Sequence, residues 1–408
     1  MKNLFTIGLL GLFSIGQTVA QSDCTAGRYV TENLFSSVDV TNAVVFGNNN
    51  ALGGGPTDLK MDVYEPAGDS ETGRAVVIVQ FGGSFIGGQR GDVASQCQFF
   101  AKMGYVAIAP DYRVGFFFPS EVTTTLAVMR AMHDMKACVR YLKKTVAEDG
   151  NPYGIDPDRI IVGGISAGAI GAIHAAYFDE ISEIPSYMEN DTAGLGGVEG
   201  NSGTPGYSSE VLGVLSYSGA IGDSSWINQG DAPIISIHED GDQTVPYNTT
   251  EVSVSGIPTG LTASGSRDIH ARTRNVGVDN CLYTFAGVQN HVGYLQGGFN
   301  ADVKQAVTDF LGNLVCGTPS NCAETQYVGI GETEVRTIGV YPNPATDVLK
   351  FRTDELGTVE IIDNIGRTVL TAPAVLGQNQ VDVSELPTGA YVLKFQGISV
   401  GTARFIKE

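Results

Sequence analysis

Between residues 58 and 316 continuous apolar runs and amphipathic stretches take turns along the chain. Residues 75–79, Ala-Val-Val-Ile-Val, are apolar throughout, the pattern of a strand covered on both faces. The spacing then predicts a helix over 93–103, ended by Gly104 in a usual C-cap position. A second buried strand follows at 105–109, closed by Pro110, and a long helix over 126–146, with Leu126, Met129, Met132, Ala137, Val139 and Leu142 broadly at helical spacing. A third strand at 160–162 leads into a helix over 167–178. Further strands are expected at 211–215, 234–237 and 282–285, and a last helix at 301–315. Alternation of this kind predicts an α/β fold, a mostly parallel sheet with helices on both faces.

Two stretches break the rhythm. Residues 179–210 carry seven acidic residues and no Lys or Arg, with many Gly, Ser and Asn, and read as an exposed insertion between core elements. Residues 323–334 read as a polar linker. Beyond it, short alternating runs at 348–351, 359–362 and 391–395, separated by turn residues, predict a small all-β sandwich over 335–408. Charge divides the chain at the same place. Of the formal −20, residues 335–408 hold 7 basic and 8 acidic side chains, against 17 and 36 in residues 1–334. A chain this acidic lacks the basic face that nucleic-acid binding by counterion release requires.

The first 20 residues have the tripartite order of a secretory signal peptide: Lys2, an apolar run over 4–16, then Thr18-Val19-Ala20 for cleavage. Thirteen apolar residues are too few to span a bilayer, and no other segment reads as a transmembrane span. The expected exported chain therefore runs from residue 21, with a first domain at 21–322. Its six cysteines (Cys24, Cys97, Cys138, Cys281, Cys316, Cys322) are an even number in a compartment that permits disulfides, and six allow 15 connectivities. There is no CxxC, HExxH or HxH pair, so no metal site is expected.

Candidate chemistry centres on Gly164-Ile165-Ser166-Ala167-Gly168, a G-x-S-x-G directly after the strand at 160–162 and directly before an apolar helix. In that setting a strained strand-to-helix turn lifts a serine hydroxyl to the sheet edge, and the helix start favours developing negative charge. A serine needs a base and a group to orient the base, arriving in the order Ser, Asp or Glu, His, each after a strand. His238-Glu239-Asp240-Gly241-Asp242 follows the strand at 234–237, and Gly287-Val288-Gln289-Asn290-His291 follows the strand at 282–285. Asp242 is preferred to Asp240, and His291 to His270. His133, His174 and His238 precede the acid and read as structural. Phe81-Gly82-Gly83-Ser84-Phe85, after the first buried strand, offers backbone donors for an oxyanion at Gly83 and Ser84, joined by the amide of Ala167.

On these residues the stretch 58–316 resembles an α/β-hydrolase of the carboxylesterase/lipase type. Phe81-Gly82-Gly83-Ser84-Phe85 stands for the HGGGF loop, with Phe81 in place of histidine and Ser84 in place of the third glycine. Gly104-Tyr105 through Asp111-Tyr112-Arg113 resembles the GY…DYR strand. The run from Tyr153 to Ile160 leads to the serine as in that family, and 238–247 resembles the HGxxDxxVPY acid loop. The resemblance implies an ester substrate, small or polymeric, no cofactor, and a triad of Ser166, Asp242 and His291. The C-terminal stretch resembles the sorting domain of the type IX secretion system through Tyr341-Pro342-Asn343-Pro344-Ala345-Thr346-Asp347, Pro387-Thr388-Gly389-Ala390-Tyr391-Val392 and Arg404-Phe405-Ile406-Lys407. That implies the type IX machinery as partner and a secreted or surface location. A serine peptidase on the same fold and a non-catalytic adhesion protein on a hydrolase scaffold are the rival readings. For residues 335–408 the rival is a carbohydrate-binding module, which wants exposed aromatic platforms where this stretch has no Trp.

Overall fold

The computed structural model describes residues 24, 26–115, 118–188, 195–254, 256–295, 300–319, 326–328, 335–353, 356–364, 366–396 and 400–408. The signal-peptide reading of residues 1–20 lies outside the described residues. In chain order the first part contains β1 (Val38–Asn50), β2 (Pro56–Pro66), β3 (Arg74–Gln80), α1 (Ala94–Lys102), β4 (Val106–Pro110), α2 (Glu121–Glu148), β5 (Ile155–Ile165), α3 (Ala167–Tyr177), β6 (Gly213–Tyr217), β7 (Ala220–Ile221), β8 (Ile234–Glu239), β9 (Thr250–Val254), β10 (Ile257–Gly265), α4 (Ser266–Val276), β11 (Asn280–Phe285), α5 (Ala301–Cys316) and β12 (Gln326–Val328).

Nine of these strands form one sheet in the order β1-β2-β4-β3-β5-β6-β8-β11-β12. β1 pairs antiparallel with β2 and β2 with β4, while the pairings from β4 onward are parallel. β3 is buried at every residue, as its unbroken Ala/Val/Ile run requires. Its side chains divide by the period-2 rule: Ala75, Val77 and Val79 join one core and Val76 and Ile78 the other. The helices cover both faces, as the alternation predicts, and the architecture is the α/β-hydrolase fold that the resemblance implies. Each parallel strand ends at the same edge, so the loops that follow β3, β5, β8 and β11 converge there.

Several features go beyond the sequence reading. The sheet starts with the long β1–β2 pair, 20 residues before the alternation is legible. The stretch after β8 holds β9, β10 and α4, and β10 joins β7 and β9 in a separate three-stranded sheet. Part of the stretch read as linker is β12, which extends the sheet in register Gln326↔Tyr283. The insertion 179–210 is only partly an exposed loop, because α2 binds its second half with a row of buried polar side chains. His133 Nε2 meets Gly197 O at 2.7 Å, Lys136 Nζ donates to Phe178 O and Val198 O, and Arg140 donates to Glu199 and to Gly203 O. Ser202 is fully buried, its hydroxyl donating to Asp134 at 2.6 Å and accepting from Arg113 at 3.0 Å.

Cys24 and Cys316 form a disulfide with a Cα–Cα distance of 5.8 Å, and Cys281 is disulfide-bonded too. Cys97 and Cys138 are free and buried, which corrects the expectation from an even count: they lie on α1 and α2, packed into the two opposite cores. No described helix is long and apolar enough to cross a membrane.

The chain divides into two compact units, residues 1–329 and 330–408. The second is all-β. It contains β13 (Val335–Thr337), β14 (Val340–Tyr341), β15 (Val348–Thr353), β16 (Gly357–Ile362), β17 (Thr368–Ala374), β18 (Gly377–Asp382), β19 (Gly389–Gln396) and β20 (Val400–Lys407). These form a five-stranded sheet, β13-β20-β19-β16-β17, and a three-stranded sheet, β14-β15-β18. Leu349, Phe351, Val359, Ile361, Leu393 and Phe405 fill a core of its own.

Candidate active site

Ser166 stands between β5 and α3 with φ 56° and ψ −120°, a left-handed backbone that costs a non-glycine residue about 1–2 kcal/mol. The glycines on either side explain how the turn closes. A Cβ on Gly164 would lie 2.3 Å from the carbonyl carbon of Gly168, and one on Gly168 would lie 2.2 Å from Gln80 O. Ser166 N–H is tied to Tyr217 O at 2.8 Å, which fixes the turn to the neighbouring strand β6.

The loop after β11 brings His291 to this serine, with Nε2 at 2.8 Å from Ser166 Oγ. His291 Nδ1 lies 2.7 Å from Asp242 Oδ2. An ionised carboxylate only accepts, so Nδ1 carries the proton it donates, and Nε2 is left with the lone pair that receives the serine hydroxyl. Asp242 stands in the loop after β8 with its side chain fully buried. Burial alone would push its pKa up. Hydrogen bonds from His238 and His291 and from the Thr244 and Val245 N–H groups outweigh burial and hold it well below the usual carboxylate range. Asp242 is therefore an anion at any working pH.

His238, read from sequence as structural, has Nε2 at 3.2 Å from the same Asp242 oxygen and 3.3 Å from Val245 O, and Nδ1 at 2.8 Å from Ser266 Oγ. The Val245 carbonyl can only accept, so the proton sits on Nε2 and Ser266 donates to Nδ1. Strand alternation could have flagged it: His238 and Asp242 bracket the end of β8. The competing Asp240 is turned away and accepts the Gly287 N–H at 2.8 Å. His270 lies on α4 and plays no part in the serine's chain of bonds.

The loop after β3 lies over the serine: a Cβ on Gly82 would come within 3.3 Å of Ser166 Cβ. Gly83, Ser84 and Phe85 take successive positive φ values of 122°, 54° and 58°, and Gly83 O accepts Ile86 N–H at 2.9 Å to close the turn. Among the described residues no acceptor takes the N–H of Gly83, Ser84 or Ala167. Phe81, where the resembled loop has histidine, is buried behind the turn and stacks on Tyr112 at 4.4 Å; the Tyr112 hydroxyl donates to Phe81 O.

A cavity of about 380 Å³ opens from Ser166, and its lining is mainly apolar. Ser166, Ile170, His174 and Phe178 are four residues apart along one face of α3 and all line it. At 1.5 Å per residue the stripe from Ser166 to His174 is about 12 Å long. α2 supplies one wall and the β9–β10 hairpin another, while Pro185 and Tyr187 bring in the first half of the insertion. At the far end Trp226 meets His174 and Phe178 edge-on at 5.9 and 5.2 Å. His174 donates from Nδ1 to Ile170 O, and Nε2 accepts Gly222 N–H; burial pushes its pKa down to about 4. Its ring is thus neutral and lends the cavity an aromatic wall. Among the described residues no group of three or more His, Cys, Asp or Glu gathers to hold a metal.

Residues 61–197 match the BD-FAE family model, and residues 339–408 match the secretion system C-terminal sorting domain. No curated protein matches the sequence. Solved structures similar to this chain include Thermogutta terrifontis esterase 2 phosphoramylated by tabun, at 20% identity and a TM-score of 0.50, covering 69% of this chain and 97% of that one. The same esterase phosphorylated by paraoxon has 21% identity, a TM-score of 0.49, and coverage of 69% and 96%. Over residues 61–197 the chain is thus similar to the esterase-type α/β-hydrolases of the BD-FAE family, and over residues 339–408 to a secretion system C-terminal sorting domain.

Proposed function

We propose that the protein is a secreted serine carboxylic-ester hydrolase that works through an acyl-enzyme. Ser166 Oγ attacks the ester carbonyl carbon as its proton passes to His291 Nε2. The resulting oxyanion is held by the N–H groups of Gly83, Ser84 and Ala167, each such donor contributing about 3–4 kcal/mol in sites of this kind. Collapse of the tetrahedral intermediate breaks the ester C–O bond, and the imidazolium returns the proton to the leaving alkoxide. Water then attacks the acyl-enzyme with His291 again as base, releasing the carboxylic acid and restoring Ser166. Asp242 fixes the imidazole tautomer and stabilises the imidazolium without taking the proton itself.

The observation that carries this reading is the unbroken chain Ser166–His291–Asp242, at 2.8 and 2.7 Å, beside three unused backbone donors. A fluorophosphonate labels Ser166, and Ser166→Ala and His291→Ala each lower kcat by several orders of magnitude with little further loss when combined. Labelling at another residue, or more than about a tenth of wild-type activity in His291→Ala, refutes the assignment. Residues 1–20 act as the signal for the first membrane. The hydrolase domain spans 21–322, the linker 323–334 includes β12, and 335–408 supplies the second address.

A further inference from the structure

Glu239 closes β8 three residues before Asp242 and is 1% exposed. Its carboxylate enters none of the ion pairs among the described residues. It takes two backbone N–H groups instead, Val292 at 2.9 Å on Oε2 and Gly293 at 2.7 Å on Oε1. Val292 directly follows His291 and has φ 49°, a conformation a β-branched residue adopts only under constraint. The left-handed turn aims two successive N–H groups at one point, the geometry of a backbone anion nest. The main chain of Glu239 is tied to the acid as well, its carbonyl accepting Asp242 N–H at 3.2 Å. One residue thus bonds the loop of the base through its side chain and the loop of the acid through its backbone. In the motif HGxxDxxVPY this position is glycine, which has no side chain for the task.

We propose that Glu239 is a positioning residue for the reaction: its carboxylate, seated in the nest at Val292 and Gly293, holds His291 at hydrogen-bond distance from both Ser166 and Asp242. The proposal rests on His291 being the base. Without the carboxylate, Val292 relaxes from its left-handed conformation, and the peptide carrying His291 turns with it.

The test compares wild-type enzyme, Glu239→Gln and Glu239→Ala on a nitrophenyl ester, with thermal unfolding followed in each. Glutamine keeps the size of the side chain but has one acceptor oxygen, so one N–H faces an amide donor. The expected result for Glu239→Gln is a kcat about ten- to a hundredfold lower, the scale of a displacement near 1 Å in a catalytic group, with little change in KM. Fluorophosphonate labelling of Ser166 slows by the same factor, because that step also needs the base. In Glu239→Ala, formate brings two acceptor oxygens back to the nest and restores part of kcat, with no effect on wild type.

Wild-type kcat in Glu239→Gln overturns the proposal, as does a folded, inactive Glu239→Ala that formate leaves inactive. If Glu239→Ala does not fold, Glu239→Gln decides alone. Ser166→Ala and His291→Ala run alongside: activity surviving in these overturns the base assignment, whereas dead triad variants with a wild-type Glu239→Gln overturn only the positioning role.

Discussion

Acid should destabilise the catalytic unit well before its carboxylates protonate, because two histidines are buried in their neutral form. Burial pushes the pKa of His133 down to about 4, helped by the nearby charges of Lys136, Arg113 and Arg140, and burial does the same to His174. His133 Nε2 donates to Gly197 O, and its buried Nδ1 has no acceptor waiting for a second proton. In the unfolded chain both titrate near about 6.5. The unfolded state therefore binds protons first, so stability is full above pH ~6.5 and falls as pH drops toward ~4. Linkage gives a loss of about 2 kcal/mol per histidine at pH 5 relative to pH 7.5, roughly 4 kcal/mol for the pair. His270 shifts in the same direction, while Glu183 and Asp231, both raised by burial, oppose it. Asp242, Asp69 and Glu199 are lowered, so their contribution survives to pH ~4 and falls outside this window. Urea unfolding at the two pH values, followed by fluorescence, measures the loss. Trp226 is the only tryptophan and packs on His174, so the signal reports the catalytic unit alone. His133→Gln keeps a donor for Gly197 O but cannot titrate, and should lose about 2 kcal/mol less than wild type over the same interval. Equal stability at pH 5 and 7.5 in wild type, or the full acid loss in His133→Gln, refutes the reasoning.

Arg113→Met leaves the fully buried Asp134 without its cation and should cost about 3–5 kcal/mol in urea unfolding at pH 7.5, far more than an exposed pair would. Trp226→Ala lengthens the cavity beyond His174, so kcat/KM across a series of nitrophenyl esters should move about tenfold toward longer acyl groups, with acetyl ester hydrolysis little changed. Deleting residues 330–408 removes a unit with its own core, so ester hydrolysis should persist at close to the full-length rate, while export from a host with the type IX system stops.

The parts of this molecule legible in the sequence are those where one physical rule acts alone. Both faces of β3 are covered, and its run of apolar residues says so. The candidates Ser166, Asp242 and His291 each follow a parallel strand of the sheet, β5, β8 and β11, and the alternation marks those strands. What escaped the sequence was decided by neighbours distant along the chain. β1 is buried only at Phe46, so no covered apolar run marks it, and β2 owes its burial to β4 and α1. Residues 196–204 read as loop because they are polar, yet α2 turns His133, Lys136 and Arg140 inward to meet their carbonyls. Composition cannot separate a polar segment that is solvated from one whose polar groups are paired. His238 and Glu239 were passed over for a related reason. Each acts through another residue, His238 on the Asp242 carboxylate and Glu239 on the backbone beyond His291, and for Glu239 no local spacing encodes that.

The bond between Cys24 and Cys316 has a consequence for life outside the cell. It joins the two ends of a stretch that contains every strand of the main sheet except β12, and all the residues assigned to the chemistry. A single proteolytic nick anywhere between these cysteines, for instance beside the exposed Gly256 that precedes β10, cuts the polypeptide without releasing a fragment. The pieces stay on one covalent body, each held at a high effective concentration near the other. Such a nicked enzyme would run as one band without reductant and as two with it.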